Sequence, residues 1–176
     1  MCIRDRCLGG GLEASEGMEI MAETGDVDVL VSEIENEIVN GDIFEYNTDD
    51  NGPLFTPGSR ETTITVSSDA PLVTVVSMIA PSPDWFVSAR NINLYENEEW
   101  VENIVIPAPL YDAGTDSGEE FNSPDQDTDP KEVISRVSEV PEAPLVIFTL
   151  SRVSENEPVE EVPEPESIEV EPPTEQ

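Results

Sequence analysis

The chain contains no histidine among its 176 residues. This absence excludes Ser-His-Asp and Cys-His catalysis, and it excludes the zinc ligand sets that contain histidine, because each of them needs an imidazole. Cysteine is also scarce, since Cys2 and Cys7 are the only two and both lie at the extreme N-terminus. Two cysteines so placed cannot both staple a distant core, and they say nothing dependable about the redox compartment.

Basic residues are also few in this chain. Seven basic residues stand against 40 acidic ones, for a formal net charge of −33. A phosphate backbone or an anionic membrane surface would be repelled by such a chain, so nucleic acid is excluded as a partner. Long apolar runs are missing too, and the sequence therefore predicts no membrane span. A bound divalent cation would locally offset the self-repulsion of the carboxylates.

The most informative segment is the acidic, glycine-rich stretch Leu110 to Phe121. Asp112 and Asp116 lie four residues apart, and glycines alternate with them. Glycine tolerates positive φ, so the segment can fold back and point carboxylates and main-chain carbonyls inward. Ca²⁺ takes six to eight oxygen ligands of this kind. The spacing does not match an EF-hand, and taken alone the segment is equally compatible with a plain acidic turn.

Two separated blocks of sequence carry a resemblance to a known family. They read Ala80-Pro-Ser-Pro-Asp-Trp-Phe-Val87 and Tyr111-Asp-Ala-Gly-Thr-Asp-Ser-Gly118, the second being followed by Phe121-Asn-Ser-Pro124. The blocks resemble the signatures A-P-S-P-D-W-x-V-G and P-W-D-A-G-T-D-S-G of the spondin N-terminal domain family, which is found in F-spondin and in many bacterial secreted proteins. The similarity extends over about residues 12 to 153.

The resemblance implies an antiparallel β-sandwich that carries one calcium ion, with Asp84, Asp112 and Asp116 as its aspartate ligands. The chain departs from the family pattern at several positions. Ser88 stands where glycine is usual, Tyr111 replaces a tryptophan, and the cysteines of the animal domains are missing between residues 93 and 100. Disulfide stapling in that region is therefore not expected here.

Helical periodicity is confined to residues 12–41. One helix is predicted to end at Gly25, and a second, opened by Asp26 or Asp28, is predicted to stop at Gly41. In the second helix apolar residues recur at spacings of three and four. The two helices are expected to cover one end of a β core as an N-terminal lead-in.

From Asp42 onward the period changes to two, which is typical of strands. The run of β-branched residues from Leu72 to Ile79 favours a central strand. Residues 132–137 are predicted to form a short strand or a helical turn, and residues 47–59 and 122–130 to be loops. The predicted strands are residues 43–46, 62–67, 72–79, 85–89, 100–106 and 143–150.

Pro81 and Pro83 cannot donate to a strand ladder, so pairing is predicted to stop there and Asp84 to lie at the rim of the sheet. A strand, a turn and a returning strand separate Asp84 from the loop at 112–116, and they bring the chain back to the same rim. Three carboxylates that meet there without a cation would repel one another. A shared Ca²⁺ would turn this repulsion into attraction.

Two other groups of residues have a plain structural explanation. The aromatic residues Trp85, Phe86 and Trp100 are expected in the core rather than on a sugar-stacking surface. The alternating aspartates at 125, 127 and 129 could mimic a metal site, but a run of charges in a polar loop is expected to be solvated.

The predicted organisation is all-β with four parts. Residues 1–11 are expected to be an artefact or a disordered start, because Met1 to Arg6 resembles translated sequencing-adapter read-through. Residues 12–41 form the helical lead-in, and residues 42–153 form the spondin-like sandwich. Residues 154–176, rich in Glu and Pro and without a basic residue, are expected to be a disordered linker or tail.

The resemblance implies a non-enzymatic, calcium-binding module that is secreted or on the cell surface and adheres to matrix or cell-surface proteins or glycans. The signal peptide is then expected to be missing from this fragment. Two alternatives stay open. Paired carboxylates are sufficient for glycoside hydrolysis, so a carbohydrate-active enzyme is one of them. The other is a structural stalk domain whose calcium has no role in binding.

Overall fold

The computed structural model describes residues 11–49, 52–137 and 144–153. The predicted tail and nearly all of the predicted artefactual start lie outside the described residues. Two helices precede the strands: α1 is Glu16–Thr24 and α2 is Asp28–Asn40. The strands are β1 Leu72–Met78, β2 Trp85–Asn93, β3 Tyr95–Glu96, β4 Glu99–Trp100, β5 Asn103–Pro107, β6 Leu110–Asp112, β7 Ser135–Arg136 and β8 Ile147–Ser151.

Helix α1 begins and ends with the chemistry that helix termini require. The Ser15 hydroxyl accepts a hydrogen bond from the Met18 N–H, and Gly25 ends the helix at φ 79°. The side chain of Glu33 in α2 accepts hydrogen bonds from the Ser15 hydroxyl (2.6 Å) and from the Gly17 N–H (2.9 Å). The predicted first helix is confirmed, and α2 is bonded directly to its N-terminus.

Helix α2 also confirms the prediction. It starts at Asp28, whose N–H donates to Asp26 Oδ1 at 2.9 Å, and it ends at Gly41 with φ 81°. Leu30 and Ile34, two of the predicted apolar positions, are 1% and 2% exposed. The two helices therefore form an amphipathic pair that buries its apolar face.

The strands form antiparallel sheets. The largest sheet has four strands in the order β1-β2-β6-β7, and two ribbons pair β3 with β4 and β5 with β8. Val87 pairs with Leu110 and Trp85 with Asp112 across β2 and β6. Within the described residues the sheets do not close into a barrel, and the fold is mainly antiparallel β with two short N-terminal helices.

The prediction of a central strand at 72–79 was wrong, because among the described residues β1 pairs with β2 alone and lies at the edge of the sheet. The apolar run has another physical cause. Val73 is fully buried, and Val76 and Met78 pack against the helix-side cluster of apolar residues. The run thus reflects burial of both faces rather than pairing on both sides.

The strands predicted at 43–46 and 62–67 are absent from the structure, which has irregular chain at both places. Ile43 is nevertheless 5% exposed and belongs to the core. The two segments are joined by a side chain, since the Asn47 amide donates to the Thr63 carbonyl at 2.9 Å. Of the alternating apolar residues, Ile43 is buried, and Ile64 and Val66 are half-buried, without a strand ladder.

The strand predicted at 100–106 is divided in two. Trp100 ends β4, which folds back on β3 through Asn97 and Glu98 at φ 53° and 67°, whereas β5 pairs with β8. The closing strand is β8, from Ile147 rather than from residue 143, which lies outside the described residues. The short strand predicted within 132–137 is confirmed as β7.

Successive residues of β2 pack into two apolar clusters. Phe86, 1% exposed, packs with Met18, Leu30 and their helical neighbours. Trp85 and Val87 pack with Leu110, and Phe148 of β8 joins them. The predicted core positions of Trp85 and Phe86 are confirmed.

The third predicted core aromatic has a different environment. Trp100 belongs to neither cluster among the described residues, and its ring centroid lies 4.9 Å from that of Tyr95. The prediction was wrong for this residue, because it lies on the short β3–β4 hairpin rather than on the four-stranded sheet.

Candidate metal centre

Asp84 immediately precedes β2 and is fully buried. Its Oδ2 atom accepts hydrogen bonds from the Thr115 N–H (2.7 Å), the Thr115 hydroxyl (3.3 Å) and the Asp116 N–H (3.1 Å). The start of β2 is thereby tied to the acidic loop that follows β6. These contacts confirm the prediction that the two segments meet.

The other carboxylate oxygen of Asp84 has no such environment. Oδ1 is buried and has no hydrogen-bond partner in the structure. Buried polar atoms are nearly always bonded, and an unpaired charged oxygen is costly. An orphaned carboxylate oxygen of this kind fits a hard cation as its missing partner.

Asp112 ends β6 beside Asp84. Its Oδ1 accepts a hydrogen bond from the Gly114 N–H at 2.8 Å, and its Oδ2 accepts one from the Trp85 indole at 3.2 Å. Burial raises the pKa of the Asp112 carboxyl, and the negative charge of Asp84 raises it further, against the effect of these hydrogen bonds. The two carboxylates are therefore close enough to repel each other.

Asp116 is 5% exposed, and its hydrogen-bond partners differ from those of Asp84 and Asp112. Its two oxygens accept hydrogen bonds from the Gly118 N–H (2.7 Å) and the Gln126 N–H (2.6 Å). The side chain thus holds the loop in shape. Within the described part of the chain, no three His, Cys, Asp or Glu side chains come together as a group that could hold a metal ion.

The two glycines of the loop are needed for close approach. Gly114 has φ +75°, and a Cβ atom there would lie 2.5 Å from the Glu132 carbonyl oxygen. A Cβ atom on Gly118 would lie 2.6 Å from a carbon of Pro83. The loop therefore lies against both the turn before β2 and the segment before β7.

Sequence reasoning missed two residues at this corner. Thr115 supplies two of the three donors to Asp84, and Glu23 of α1 lies nearby. Burial raises the pKa of Glu23, a hydrogen bond with Thr115 lowers it, and the charges of Glu19 and Asp84 raise it. Thr115 could have been suspected from its place between the aspartates. Glu23 carries no signal in the sequence, because its position depends on how the helix packs.

The aspartates at 125, 127 and 129 are all exposed, as expected for a solvated loop. The fit to a cation rests instead on Asp84 and Asp112, which offer a buried, unpaired oxygen and a repelled carboxylate. Asp116 lies at the same corner, and each of its oxygens, like each of those of Asp112, already accepts a hydrogen bond. That all three share one Ca²⁺ remains a prediction.

These features define a small antiparallel β protein with an acidic corner, at which two distant segments of the chain meet. The model of the Spondin_N family matches residues 8–158. The chain therefore belongs to the spondin N-terminal domain family.

Several curated proteins are similar to the chain. Spondin-2 of Homo sapiens is 32% identical over 151 residues, which cover 84% of this chain and 45% of that protein. Spondin-2 of Rattus norvegicus is 31% identical over the same length. Spondin-1 of Bos taurus is 30% identical over 138 residues, which cover 75% of this chain and 17% of that protein. The chain spans less than half the length of these relatives.

Proposed function

We propose that the chain is a calcium-binding β-sandwich module, secreted or on the cell surface, that mediates adhesion to matrix or cell-surface components. The observation that carries the calcium part is the buried, unpartnered Oδ1 of Asp84 beside the repelled carboxylate of Asp112. Family membership supports the adhesive part.

The cation would be held by carboxylates that already have fixed positions. Asp84 is fixed by donors from Thr115 and Asp116, and Asp112 by Gly114 and Trp85. When bound, Ca²⁺ would supply positive charge that neutralises the repulsion between the two carboxylates. Asp116 is proposed as the third aspartate, with main-chain carbonyls and water completing the shell.

The sandwich part of the proposal rests on packing. Trp85 and Val87 of the four-stranded sheet share an apolar cluster with Phe148 of β8. A ribbon that contributes side chains to one face of a sheet is the arrangement expected of a second layer. The helices pack on the opposite face around Phe86.

The proposed partner is a protein or glycan of the matrix or cell surface. A net charge of −33 suits a partner surface that is neutral or basic and disfavours polyphosphates. No helix among the described residues has the length and apolar character to span a bilayer.

The environment of the aspartates at the acidic corner gives little support to the alternative of a carbohydrate-active enzyme. Its acid and base must reach a glycosidic bond, whereas Asp84 is fully buried and its Oδ2 is occupied by three donors. Asp112 likewise accepts a hydrogen bond on each of its oxygens. We therefore propose no catalytic residue.

The test measures adhesion and stability together. The wild-type chain, immobilised in Ca²⁺ or in EDTA, is challenged with matrix proteins and glycans, and its thermal unfolding is followed in the same buffers. We expect stabilisation by Ca²⁺ and adhesion that is lost in EDTA. Stabilisation without adhesion would indicate the structural stalk instead, and turnover of glycosides would contradict the proposal.

A further inference from the structure

We propose that a cleft beside the C-terminal half of β2 is a binding site other than the acidic corner. Its ligand is a small molecule in which one carboxylate is attached to a compact apolar group. The cleft has a volume of about 430 Å³, which lies within the range of small-molecule sites. Its lining includes Ser88, Arg90, Ile92, Ile106, Pro107 and Tyr111.

The charge of the cleft is opposite to that of the chain as a whole. Among the described residues its lining contains no acidic one, although the chain has 40 of them against seven basic ones. Three of the other four cations in the described chain are neutralised, since Arg60, Lys131 and Arg152 form ion pairs with Asp49, Glu19 and Glu102, whereas Arg136 of β7 forms none with a described residue. The cleft thus contains one of two cations that have no ion pair among the described residues.

Arg90 supplies that charge. Its guanidinium carbon lies 5.2 Å from the centre of the Tyr111 ring, and it forms no ion pair or hydrogen bond with any described residue. The ring restrains the guanidinium, while its N–H groups have no acceptor among the described residues. Guanidinium N–H groups match the two oxygens of a carboxylate in a planar, bidentate contact.

Two further donors come from positions where the chain departs from the family signatures. Ser88 stands in place of glycine, is 1% exposed, and has a buried hydroxyl without a hydrogen-bond partner among the described residues. Tyr111 stands in place of tryptophan and also lines the cleft. Both residues line the same cleft as Arg90, and each carries a hydroxyl group. A buried hydroxyl without a partner indicates a missing ligand atom or water.

The rest of the lining selects the ligand class. Ile92, Ile106 and Pro107 are apolar and suit an apolar body attached to the carboxylate. The field of a chain with net charge −33 opposes a phosphate with two or more charges more strongly than a monoanion. The apolar lining and the charge of the chain therefore favour a monocarboxylate over a phosphate ester with two or more charges.

Benzoate is the probe, and benzamide is its neutral counterpart of nearly the same shape. Backbone amide shifts of the isotopically labelled full chain are titrated in Ca²⁺ buffer. We expect benzoate to shift the amides of residues 88–92 saturably, and benzamide to leave them unchanged. The substitution Arg90→Gln should weaken benzoate binding about tenfold or more, as expected for loss of a charge-assisted bidentate contact.

The matched control is Arg152→Gln, which removes the same charge at the far end of β8 and should leave benzoate binding unchanged. Ser88→Gly restores the usual family residue and should weaken binding several-fold without unfolding the chain. Equal shifts by benzoate and benzamide, or wild-type affinity in Arg90→Gln, would overturn the proposal. So would benzoate shifts confined to residues 112–116 and abolished by EDTA, because they would place the anion at the acidic corner.

Discussion

Replacement of Asp84 separates its structural role from its proposed role toward calcium. In EDTA, Asp84→Ala removes the acceptor for the Thr115 and Asp116 N–H groups, both of which are buried. Hydrogen bonds to charged acceptors contribute about 1.5–3 kcal/mol each, so the two together amount to roughly 3–6 kcal/mol. Relief of the repulsion with Asp112 offsets part of this loss. We expect a net destabilisation of about 2–4 kcal/mol.

The substitution Asp84→Asn keeps a side-chain oxygen as acceptor but removes the charge. In EDTA it should unfold at the same denaturant concentration as the wild type or at a higher one, because the repulsion with Asp112 is gone. Calcium should stabilise the wild type by about 2.7 kcal/mol at a concentration 100 times its dissociation constant. It should leave Asp84→Asn unchanged.

The assay is urea unfolding of each variant in EDTA and in Ca²⁺. Asp127→Asn is the control, because it is the same chemical change at an exposed aspartate, and it should respond to calcium as the wild type does. If Asp84→Ala and Asp84→Asn were equally stable in EDTA, the hydrogen-bond argument would fail. An undiminished calcium response in Asp84→Asn would refute the role of its charge.

Three other predictions follow from single contacts. Gly114→Ala should destabilise the chain by at least about 1–2 kcal/mol in chemical denaturation, because of its positive φ and a clash at 2.5 Å with backbone. Phe86→Ala should cost about 3–5 kcal/mol, and Val105→Ala, at a site 58% exposed, should cost far less. A hydrogen bond with Glu35 raises the pKa of Tyr46, so Glu35→Gln should lower the midpoint of its absorbance titration near 295 nm; an unchanged midpoint contradicts that cause.

The helices could be predicted because their termini are encoded locally. Gly25 and Gly41 both adopt the left-handed conformation that ends a helix, and each is recognisable in the sequence. The strand at 85–89 could also be predicted, and the alternation of side chains along a strand accounts for Trp85 and Val87 lying in one cluster. The acidic corner was anticipated from the resemblance of two sequence blocks, rather than from spacing alone.

Strand pairing could not be predicted as well, because it depends on a partner as much as on the strand. Residues 43–46 and 62–67 alternate like strands, yet they bury or half-bury their isoleucine and valine side chains without forming a ladder. Because pairing could not be predicted, the sequence indicated that β1 would lie in the centre of the sheet, whereas it lies at the edge. Glu23 could not be found for a related reason, since only the packing of α1 brings it to the acidic loop.

The most direct measurement uses a tryptophan as an internal reporter. The Trp85 indole donates to Asp112 Oδ2 at 3.2 Å, so a luminescent Tb³⁺ ion bound by the Asp84 and Asp112 carboxylates would be excited through this ring. We predict saturable emission that Ca²⁺ displaces, and that is lost in Trp85→Phe but retained in Trp100→Phe. Emission that persists in Trp85→Phe, or in the double variant with Asp84→Asn and Asp112→Asn, would place the ion elsewhere and contradict the account.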